Sequence, residues 1–314
     1  MSGLIGLDWG TSSLRAYWLD GRGKIREARS RPWGVRHLPD GGFEAALADI
    51  TAAWPALPRL AAGMIGSRNG WLEVPYTNLP ASTEKLSDDV RTLRLADGTD
   101  IHIVPGLRNP CGPDVMRGEE TQILGALALK PALAARSTWI LPGTHSKWVS
   151  ITNGVVTDFC TFMTGELFAL LRQHSILGAG TSDDTPDSDA FLQGVDAARD
   201  SGDAGALGRL FSARALMLDG QLSPASVPSY LSGLLLGEEF RAGIAAKRFD
   251  LTAPLQLIGD AGLCERYRQA ASHFDIELSE PFIESSAHGL WLIACRMGLV
   301  TMDASSAPKE STSC

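Results

Sequence analysis

The hydrophobic and polar positions near the N-terminus predict three strands followed by a helix. An apolar run, Gly3–Asp8, ends at an acid, and Leu14–Leu19 alternates apolar and polar residues as a half-buried strand does. The turn sequence Asp20–Gly23 predicts a hairpin that leads into a third strand, Lys24–Ser30. The helix predicted next, Phe43–Trp54, ends before a proline.

The same order of elements returns after about 135 residues, a spacing too long for a solenoid repeat. A strand leads into a Gly-Thr loop, a second strand, an Asn-Gly hairpin, a third strand and a helix. These strands and the helix are Thr138–Leu141, Lys147–Thr152, Val155–Phe162 and Gly165–His174. The pattern is typical of a duplicated α/β domain; the alternative is a chance similarity of two β-meanders.

The remaining sequence is mostly helical in pattern. Periodicity and capping residues predict helices at Arg117–Leu129, Asp187–Arg199, Ala204–Leu218, Val227–Lys247 and Ser286–Val300. Leu255–Ile258 predicts a short buried strand that runs into a glycine turn and a further helix. We expect an N-terminal domain over residues 1–107, a C-terminal domain over 108–300, and a flexible tail over 301–314, which is rich in Ser, Pro and Lys.

The composition is that of a globular protein without a nucleic-acid or membrane partner. The 314 residues carry a formal net charge of −8 and are 44% hydrophobic, which excludes disorder over most of the chain. The acidic balance argues against nucleic-acid binding, and no apolar stretch reaches the roughly 18 residues of a membrane span. The five cysteines are widely spaced and form no C-x-x-C pair. This spacing predicts a cytoplasmic protein with neither a zinc site nor a disulfide framework.

An acid followed by glycine and hydroxyl residues is the first candidate for nucleotide chemistry. Gly10 lets the backbone approach a phosphate, and backbone N–H groups with the hydroxyls of Thr11 and Ser12 can donate to its oxygens. Asp8 cannot contact a phosphate favourably by itself, so the pattern favours a Mg²⁺ ion held by Asp8. An ordinary Asp/Gly/Thr hairpin turn is the alternative.

Two further loops are candidates for ATP binding in the second half of the chain. The first, the loop of Gly143, Thr144 and His145, has in the second copy the place that the Asp8 motif has in the first. This loop and the Asp8 motif together can clamp a triphosphate from both sides. It is not a Walker A loop, because no helix opens directly after it. The second turns from a strand into a helix, where a nucleoside ring can lie against backbone, although such turns are often glycine-rich for structural reasons alone. The candidate residues are Gly143, Thr144, His145, Gly259, Asp260 and Ala261.

The order of these parts resembles the sugar-kinase, hexokinase and actin superfamily, and more narrowly the 2-dehydro-3-deoxygalactonokinase family. The matching strings, spread over nearly the full chain, include Leu7–Ala16, Gly63–Ser67, Val115–Gln122, Pro142–Val149, Thr164–Leu167, His174–Gly180 and Leu231–Leu235. The resemblance implies an α/β protein with the two-domain actin-like ATPase (ribonuclease H-like) fold, a duplicated βββα core and an interdomain cleft. Asp260, between Gly259 and Gly262, departs from the superfamily's plainer glycine run.

The same resemblance implies an ATP- and Mg²⁺-dependent kinase that phosphorylates the terminal 6-hydroxyl of 2-dehydro-3-deoxy-D-galactonate. The alternatives are a kinase for another sugar acid or a hexose, and a nucleotide-binding regulator without phosphoryl transfer. The intact acid and phosphate-loop residues favour the enzyme. The expected partners are the sugar acid and ATP, and a homodimer is compatible with this resemblance.

The resemblance also assigns a general base. In related carbohydrate kinases the base is an acid in a Gly-Asp segment before the second phosphate loop, and Glu119 follows Gly118 in that place, as Glu rather than Asp. Glu120 and Asp114 are its rivals, and a solvated acidic first turn of a helix is the structural alternative. Arg117 can neutralise the transferring charge or bind the substrate carboxylate.

The implied substrate is a six-carbon 2-keto-3-deoxy sugar acid, whose carboxylate requires an arginine or a set of backbone donors. Arg68, followed by Asn69, is the candidate in the first half, and Ser13 and Arg15 lie beside the first phosphate loop. Trp33, together with Trp9 and Trp71, is a candidate for a wall of the sugar pocket; the alternative, which is the more common place of a tryptophan, is the core.

Overall fold

The computed structural model describes residues 3–181 and 186–301, so all but the first residue of the predicted tail lies outside the described residues. The strands are β1 (Gly3–Trp9), β2 (Leu14–Asp20), β3 (Ile25–Arg31), β4 (Arg59–Gly63), β5 (Thr77–Asn78), β6 (Arg91–Arg94), β7 (Asp100–Ile103), β8 (Leu107–Asn109), β9 (Asp114–Met116), β10 (Arg136–Leu141), β11 (Ser146–Thr152), β12 (Val155–Phe162), β13 (Leu255–Ile258) and β14 (Leu278–Phe282). The helices are α1 (Gly42–Ile50), α2 (Thr83–Asp88), α3 (Glu119–Leu129), α4 (Thr164–His174), α5 (Ser188–Arg199), α6 (Ser212–Leu218), α7 (Val227–Ala245), α8 (Ala261–Ser272) and α9 (Ser285–Arg296). The described residues divide into two units. The first consists of residues 3–134, 153–157 and 284–301, and the second of residues 135–152, 158–181 and 186–283.

The first unit contains a six-stranded sheet of order β3-β2-β1-β4-β7-β6. β1 pairs antiparallel with β2, which sets Asp8 opposite Arg15, and parallel with β4, which sets Trp9 opposite Gly63. Apolar side chains of these strands pack with those of α1 into one buried core. A three-stranded sheet, β5-β8-β9, precedes α3 in the chain.

The second unit repeats this arrangement in a five-stranded sheet of order β12-β11-β10-β13-β14. β10 pairs antiparallel with β11 and parallel with β13, as β1 does with β2 and β4. A helix follows each meander, α1 after the first and α4 after the second. The repeat confirms the predicted duplicated βββα core and with it the predicted actin-like fold class.

α9 packs against α3 in the first unit so closely that the two backbones touch. A Cβ atom at Gly125 would lie 1.8 Å from the carbonyl oxygen of Ser285, and one at Gly289 would lie 1.9 Å from the carbonyl oxygen of Thr121. Only glycine leaves room for this approach. Both helices therefore lie in the first unit, although residues 108–300 are predicted from the sequence to form the second domain. The domain limits at residues 107 and 108 stay a prediction.

An analogous contact joins α5 and α7 in the second unit. A Cβ atom at Gly194 would lie 2.1 Å from the carbonyl oxygen of Tyr230, and one at Gly233 would lie 1.9 Å from the carbonyl oxygen of Phe191. Buried residues occupy every side of α7. This burial explains why the sequence of α7 is apolar without a polar stripe.

The predicted single helix over 204–218 is wrong. This stretch contains the 3₁₀ turn Ala206–Arg209, and α6 begins only at Ser212. Gly205, whose φ of 69° is left-handed, interrupts a right-handed helix at the start of this stretch. Of the helices that the structure describes, none combines the length and the apolar character needed to cross a membrane.

The contact between α3 and α9 predicts that Gly289→Ala destabilises the protein. In an ordinary helix interior alanine is favoured over glycine by about 1 kcal/mol, but here its Cβ atom would force the helices apart, at a cost of about 1–3 kcal/mol or more. The expected result is a lower midpoint in urea unfolding. Gly208→Ala is the matched control, because no atom lies within 4 Å of the position that its Cβ would take. Equal midpoints for the two variants would contradict the prediction.

Candidate functional site

The carboxyl ends of β1 and β4 bring the first phosphate loop and the start of α3 to one edge of the first sheet. Asp8 is the second-last residue of β1, and Gly63 is the last residue of β4. Gly118, which precedes α3, has a left-handed φ of 107°, and a Cβ atom on it would lie 3.3 Å from the Cα atom of Gly63. Glu119, the first residue of α3, is therefore held at the same sheet edge as Asp8.

Asp8 lies among charged and polar groups from three elements. Ser286 of α9 donates a hydrogen bond of 3.0 Å from Oγ to Asp8 Oδ2. Burial raises the pKa of the Asp8 carboxyl; the Ser286 hydrogen bond and the Arg15 charge oppose this, and the Glu119 charge adds to it. The structure thus brings the predicted residues Asp8, Arg15 and Glu119 into electrostatic contact. Ser286 was missed, because nothing local in the sequence connects it to a residue 278 positions earlier.

The loop after β1 is held from its outer side by the segment that follows β3. The Gly10 N–H donates to the Ser13 carbonyl at 2.9 Å, and the Gly10 carbonyl accepts from the Val35 N–H at 3.1 Å. Trp9 Nε1 donates to the Trp33 carbonyl at 2.8 Å. Trp33 therefore supports the loop through its backbone. The side chains of Thr11 and Ser13 are half-buried, and that of Ser12 is exposed.

Trp9 is a core residue, as the alternative in the sequence analysis has it, and not a wall of a pocket. Its side chain is fully buried. The ring lies edge-on against Phe43 at 5.3 Å and against Trp71 at 6.2 Å. Trp71 in turn stacks on Phe43 at 5.3 Å. These aromatic contacts hold the end of β1, and with it the start of the phosphate loop.

The three candidate bases have different surroundings. Glu119 is half-buried, and its Oε2 atom accepts a hydrogen bond of 2.9 Å from the Arg117 N–H. Glu120 is fully buried and accepts from the Gly118 N–H at 2.7 Å. Burial, followed by the charge of Glu119, raises the pKa of Glu120 to about 8. Asp114, half-buried on β9, accepts from the Val115 N–H at 2.7 Å. Of the three, Glu120 is closed to a substrate.

Arg117 is oriented by its neighbours but keeps unused donors. Its Nη2 atom donates to the Val74 carbonyl at 2.8 Å, and its guanidinium lies 4.3 Å from the centre of the Tyr76 ring. Its Nε and Nη1 atoms are buried and have no hydrogen-bond partner within the described chain, and the same holds for the Ser67 hydroxyl. Buried donors normally have a partner, so these atoms require a water or a ligand group. Arg68, the residue predicted to bind the carboxylate, is exposed on the turn after Ser67, as is Asn69.

The predicted ATP loops of the second unit lie side by side, because they follow the parallel neighbours β10 and β13. A Cβ atom on Gly259 would lie 3.7 Å from the carbonyl oxygen of Pro142. Around Gly143 no atom lies within 4 Å of the position that a Cβ would take, so this residue faces open space. Asp260 caps α8, accepting the Leu263 N–H at 3.1 Å, and this cap explains the departure from a plain glycine run.

The first turn of α4 lies against the loop of Gly143, Thr144 and His145. A Cβ atom at Gly165 would lie 2.6 Å from the Gly143 carbonyl oxygen, so only glycine allows this approach. The Glu166 N–H donates to the Thr144 carbonyl at 3.0 Å, and the Glu166 carboxylate pairs with His145 Nε2. His145 therefore has a partner on α4, and the loop is joined to the helix at two points.

The buried Glu239 of α7 lies behind this loop and is not among the residues predicted from the sequence. Its carboxylate accepts a hydrogen bond of 2.6 Å from the Ser146 hydroxyl, directly after the loop. The signal was present in the sequence, since Glu239 follows the otherwise apolar run Leu231–Gly237. A carboxylate inside an apolar helix is almost never buried without partners.

Known proteins resemble this chain over most of its length. The sequence profile of a family described as 2-keto-3-deoxy-galactonokinase matches residues 8–293. The 2-dehydro-3-deoxygalactonokinase of Escherichia coli (strain K12) is 38% identical over 273 residues, which cover 85% of this chain and 88% of that protein. The probable 2-dehydro-3-deoxygalactonokinase DgoK1 of Rhizobium meliloti (strain 1021) is 38% identical over 273 residues, which cover 84% and 87%.

A solved structure agrees with these sequence matches. The crystal structure of a "putative 2-dehydro-3-deoxygalactonokinase protein" from Sinorhizobium meliloti has a TM-score of 0.83 and 35% identity, and the match covers 93% of this chain and 98% of that one. The profile match begins at Asp8 and continues into α9, so it spans both units. The chain belongs to the 2-keto-3-deoxy-galactonokinase family.

Proposed function

We propose that this chain transfers the γ-phosphoryl group of ATP to the terminal 6-hydroxyl of 2-dehydro-3-deoxy-D-galactonate, which yields the 6-phosphate and ADP. The observation that carries the proposal is the family match across both units, from the acid of the first phosphate loop to α9. The chain is then a phosphotransferase with an alcohol group as acceptor. A role as a non-catalytic nucleotide-binding regulator is not favoured, because the relatives carry the names of kinases.

Asp8 is the residue that would hold Mg²⁺. The described residues contain no group of three or more His, Cys, Asp or Glu that could hold a metal ion by themselves. This suits Mg²⁺ in kinases, which is bound through one or two carboxylates together with the substrate phosphates. The carboxylate of Asp8, at a strand end beside the phosphate loop, fits that donor set. When bound, the ion supplies positive charge that neutralises the phosphates.

Glu119 is the proposed general base. It lies at the sheet edge of Asp8, it is half-buried, and its carboxylate is oriented by the N–H of Arg117. Its neighbour Glu120 has a pKa of about 8 and is therefore mostly neutral at pH 7. A base must reach the hydroxyl whose proton it accepts, so the buried Glu120 is the poorer candidate. Asp114 remains the second candidate.

Arg117 and Ser67 are the proposed partners of the substrate carboxylate. Both carry buried polar atoms without a partner within the described chain. Arginine is suited to a carboxylate because its fork of donors matches the two oxygens. Ser13, Arg15, Trp33, Arg68 and Asn69 stay predictions as further substrate-binding residues. The triphosphate is assigned to Gly10, Thr11 and Ser12 of the first loop and Gly143, Thr144 and His145 of the second; the adenosine is assigned to Gly259, Asp260 and Ala261.

We also place the enzyme in the cytoplasm, because the described cysteines, Cys111, Cys160, Cys264 and Cys295, are free thiols. The homodimer stays a prediction that sedimentation analysis tests.

The proposed reaction predicts ADP release with one class of acceptor. Purified protein with Mg·ATP is assayed by coupled ADP detection against the galactonate-derived and the gluconate-derived 2-keto-3-deoxy acids and several hexoses. We expect the galactonate-derived acid to give the highest kcat/KM. A higher kcat/KM with a hexose would show that the proposed substrate is wrong. Absence of turnover with every 2-keto-3-deoxy acid would refute the kinase proposal.

The role of Asp8 predicts a loss of turnover without a loss of stability in Asp8→Asn. We expect kcat to fall by about 10²-fold or more, because metal-borne charge supplies several kcal/mol to the transition state. Burial raises the pKa of Asp8, so a neutral asparagine removes the cost of a buried charge, and the thermal midpoint should not fall. Near-normal turnover at saturating Mg²⁺ would contradict the role.

The role of Glu119 predicts opposite outcomes for two adjacent isosteric variants. Glu119→Gln cannot accept the proton, so kcat and kcat/KM should fall together by about 10²–10⁴-fold, with little change in the KM for the sugar acid. Glu120→Gln resembles the neutral acid already present at pH 7, so its loss should be far smaller. Both are measured in steady-state assays beside Asp114→Asn. An active Glu119→Gln with an inactive Glu120→Gln or Asp114→Asn would move the base to that residue.

A further inference from the structure

A single buried carboxylate in the second unit accepts hydrogen bonds from four side chains. Glu239 is 1% exposed. Its Oε1 atom accepts from the Ser146 hydroxyl at 2.6 Å and from Trp148 Nε1 at 2.8 Å. Its Oε2 atom accepts from the Thr164 hydroxyl and from the Tyr267 hydroxyl, the latter at 2.8 Å. All four donors lie on elements other than α7, so the contacts are long-range connections.

The four donors belong to the elements that carry the proposed ATP loops. Ser146 is the first residue of β11, directly after Gly143, Thr144 and His145. Thr164 is the first residue of α4, whose next residue, Gly165, touches the Gly143 carbonyl oxygen. Tyr267 lies on α8, the helix that begins at Ala261. The carboxylate therefore joins the end of one loop, the helix packed on that loop, and the helix that leaves the other.

Removing this acceptor would leave donors without a partner. The Trp148 N–H can only donate a hydrogen bond, so this side chain cannot compensate by accepting one from another group. Burial keeps the pKa of Tyr267 well above its ordinary value, so its hydroxyl also remains a donor. A buried donor left unpaired destabilises the fold, and this cost can be avoided only if β11, α4 or α8 shifts toward another acceptor or water.

We propose that Glu239 is a positioning residue for ATP: its carboxylate sets the places of β11, α4 and α8, and thereby the geometry of the loops at 143–145 and 259–261. Glu239 itself does not contact ATP, since it lies behind these elements with all four partners in the protein. The inference rests on the proposed function only in naming ATP as the ligand of the two loops. The ordering of the loops by Glu239 does not depend on it.

The chemistry of the site predicts a graded series of variants. In Glu239→Gln the amide oxygen can accept from Ser146 and Trp148, while the amide NH₂ donates to the hydroxyl oxygens of Thr164 and Tyr267, so most of the network survives. In Glu239→Asp the carboxylate is retracted by one methylene and cannot reach donors on three elements at once. In Glu239→Ala all four donors lose their acceptor. The expected order of ATP affinity is wild type, Gln, Asp and then Ala.

The matched control is Glu238→Gln, on the same helix one residue earlier. Glu238 pairs with Arg241 at 2.7 Å and accepts from the Ala206 N–H at 3.0 Å. These partners lie on α7 itself and in the 3₁₀ turn Ala206–Arg209, and not on β11, α4 or α8. Glu238→Gln should therefore leave the kinetic constants unchanged even if it lowers the urea midpoint.

The test combines hydrogen exchange with ATP binding and kinetics. In Glu239→Asp we expect exchange in peptides covering 142–147 and 163–168 to accelerate by about tenfold, the equivalent of one lost hydrogen bond. Exchange in residues 10–15 of the first unit should not change. The Kd for ATP by calorimetry should rise by about tenfold, the KM for ATP should rise with it, and the KM for the sugar acid should not change. Glu239→Gln should restore most of both effects.

Two outcomes overturn the inference. One is a folded Glu239→Asp or Glu239→Ala with wild-type exchange in both peptides and wild-type affinity for ATP. The other is equal weakening of ATP and sugar-acid binding, which would indicate general destabilisation. Failure of the proposed function gives a different result. It appears as absent ATP binding in the wild type, or as unchanged ATP affinity in Gly143→Val. The exchange measurement still reports on Glu239 in either case.

Discussion

In each unit one pair of helices lies in backbone contact, and the places of the candidate functional residues depend on that contact. α3 and α9 approach through Gly125 and Gly289, and α5 and α7 through Gly194 and Gly233. A side chain at any of these positions would overlap a carbonyl oxygen. The first contact fixes α9 beside α3, and Glu119 and Ser286 lie at the N-terminal ends of those two helices. The second fixes α7, which carries Glu239.

Each unit also has a buried glutamate next to its candidate loops, Glu120 in the first and Glu239 in the second, and the two glutamates are stabilised differently. Glu120 accepts hydrogen bonds from a backbone N–H and a threonine hydroxyl and has a carboxylate as its neighbour, so its pKa rises to about 8. Because the folded pKa lies above the usual one, folding favours its protonated form, and its contribution to stability declines as the pH rises from about 4.5 to 8. Burial also raises the pKa of Glu239, but four donors oppose that rise. The first glutamate is thus suited to a neutral structural role and the second to holding donors in place.

The local part of the fold could be predicted from the sequence, whereas contacts between distant residues could not. Alternating strands and Gly-containing hairpins are encoded over a few residues, so both meanders were found with their motifs. β4, β7 and β14 were missed, because a run of four or five residues gives too little pattern by itself to separate a strand from a loop; β13, equally short, was found because it runs into a glycine turn and a helix. Ser286 had no local signal at all, since its link to Asp8 exists only because α9 packs beside β1 and α3. For Trp9 the sequence left the pocket and the core open, because a tryptophan next to a glycine loop has the same sequence pattern whether it faces a ligand or the core.

The structure separates the adjacent residues Glu119 and Glu120 by their burial, which the sequence does not show. The sequence favours Glu119 only by its position directly after Gly118, since Glu120, one residue later, is chemically the same. The left-handed backbone at Gly118 starts α3 in an orientation that buries Glu120 and leaves Glu119 half-buried at the edge that carries Asp8. Burial then raises the pKa of Glu120 and makes it neutral at pH 7, which limits the negative charge beside Asp8 to that of Glu119. An ionised Glu120 would add a third carboxylate to Asp8 and Glu119 at this edge and would increase the repulsion of the phosphates of ATP, so the turn at Gly118 that exposes the proposed base also keeps the site suited to an anionic substrate.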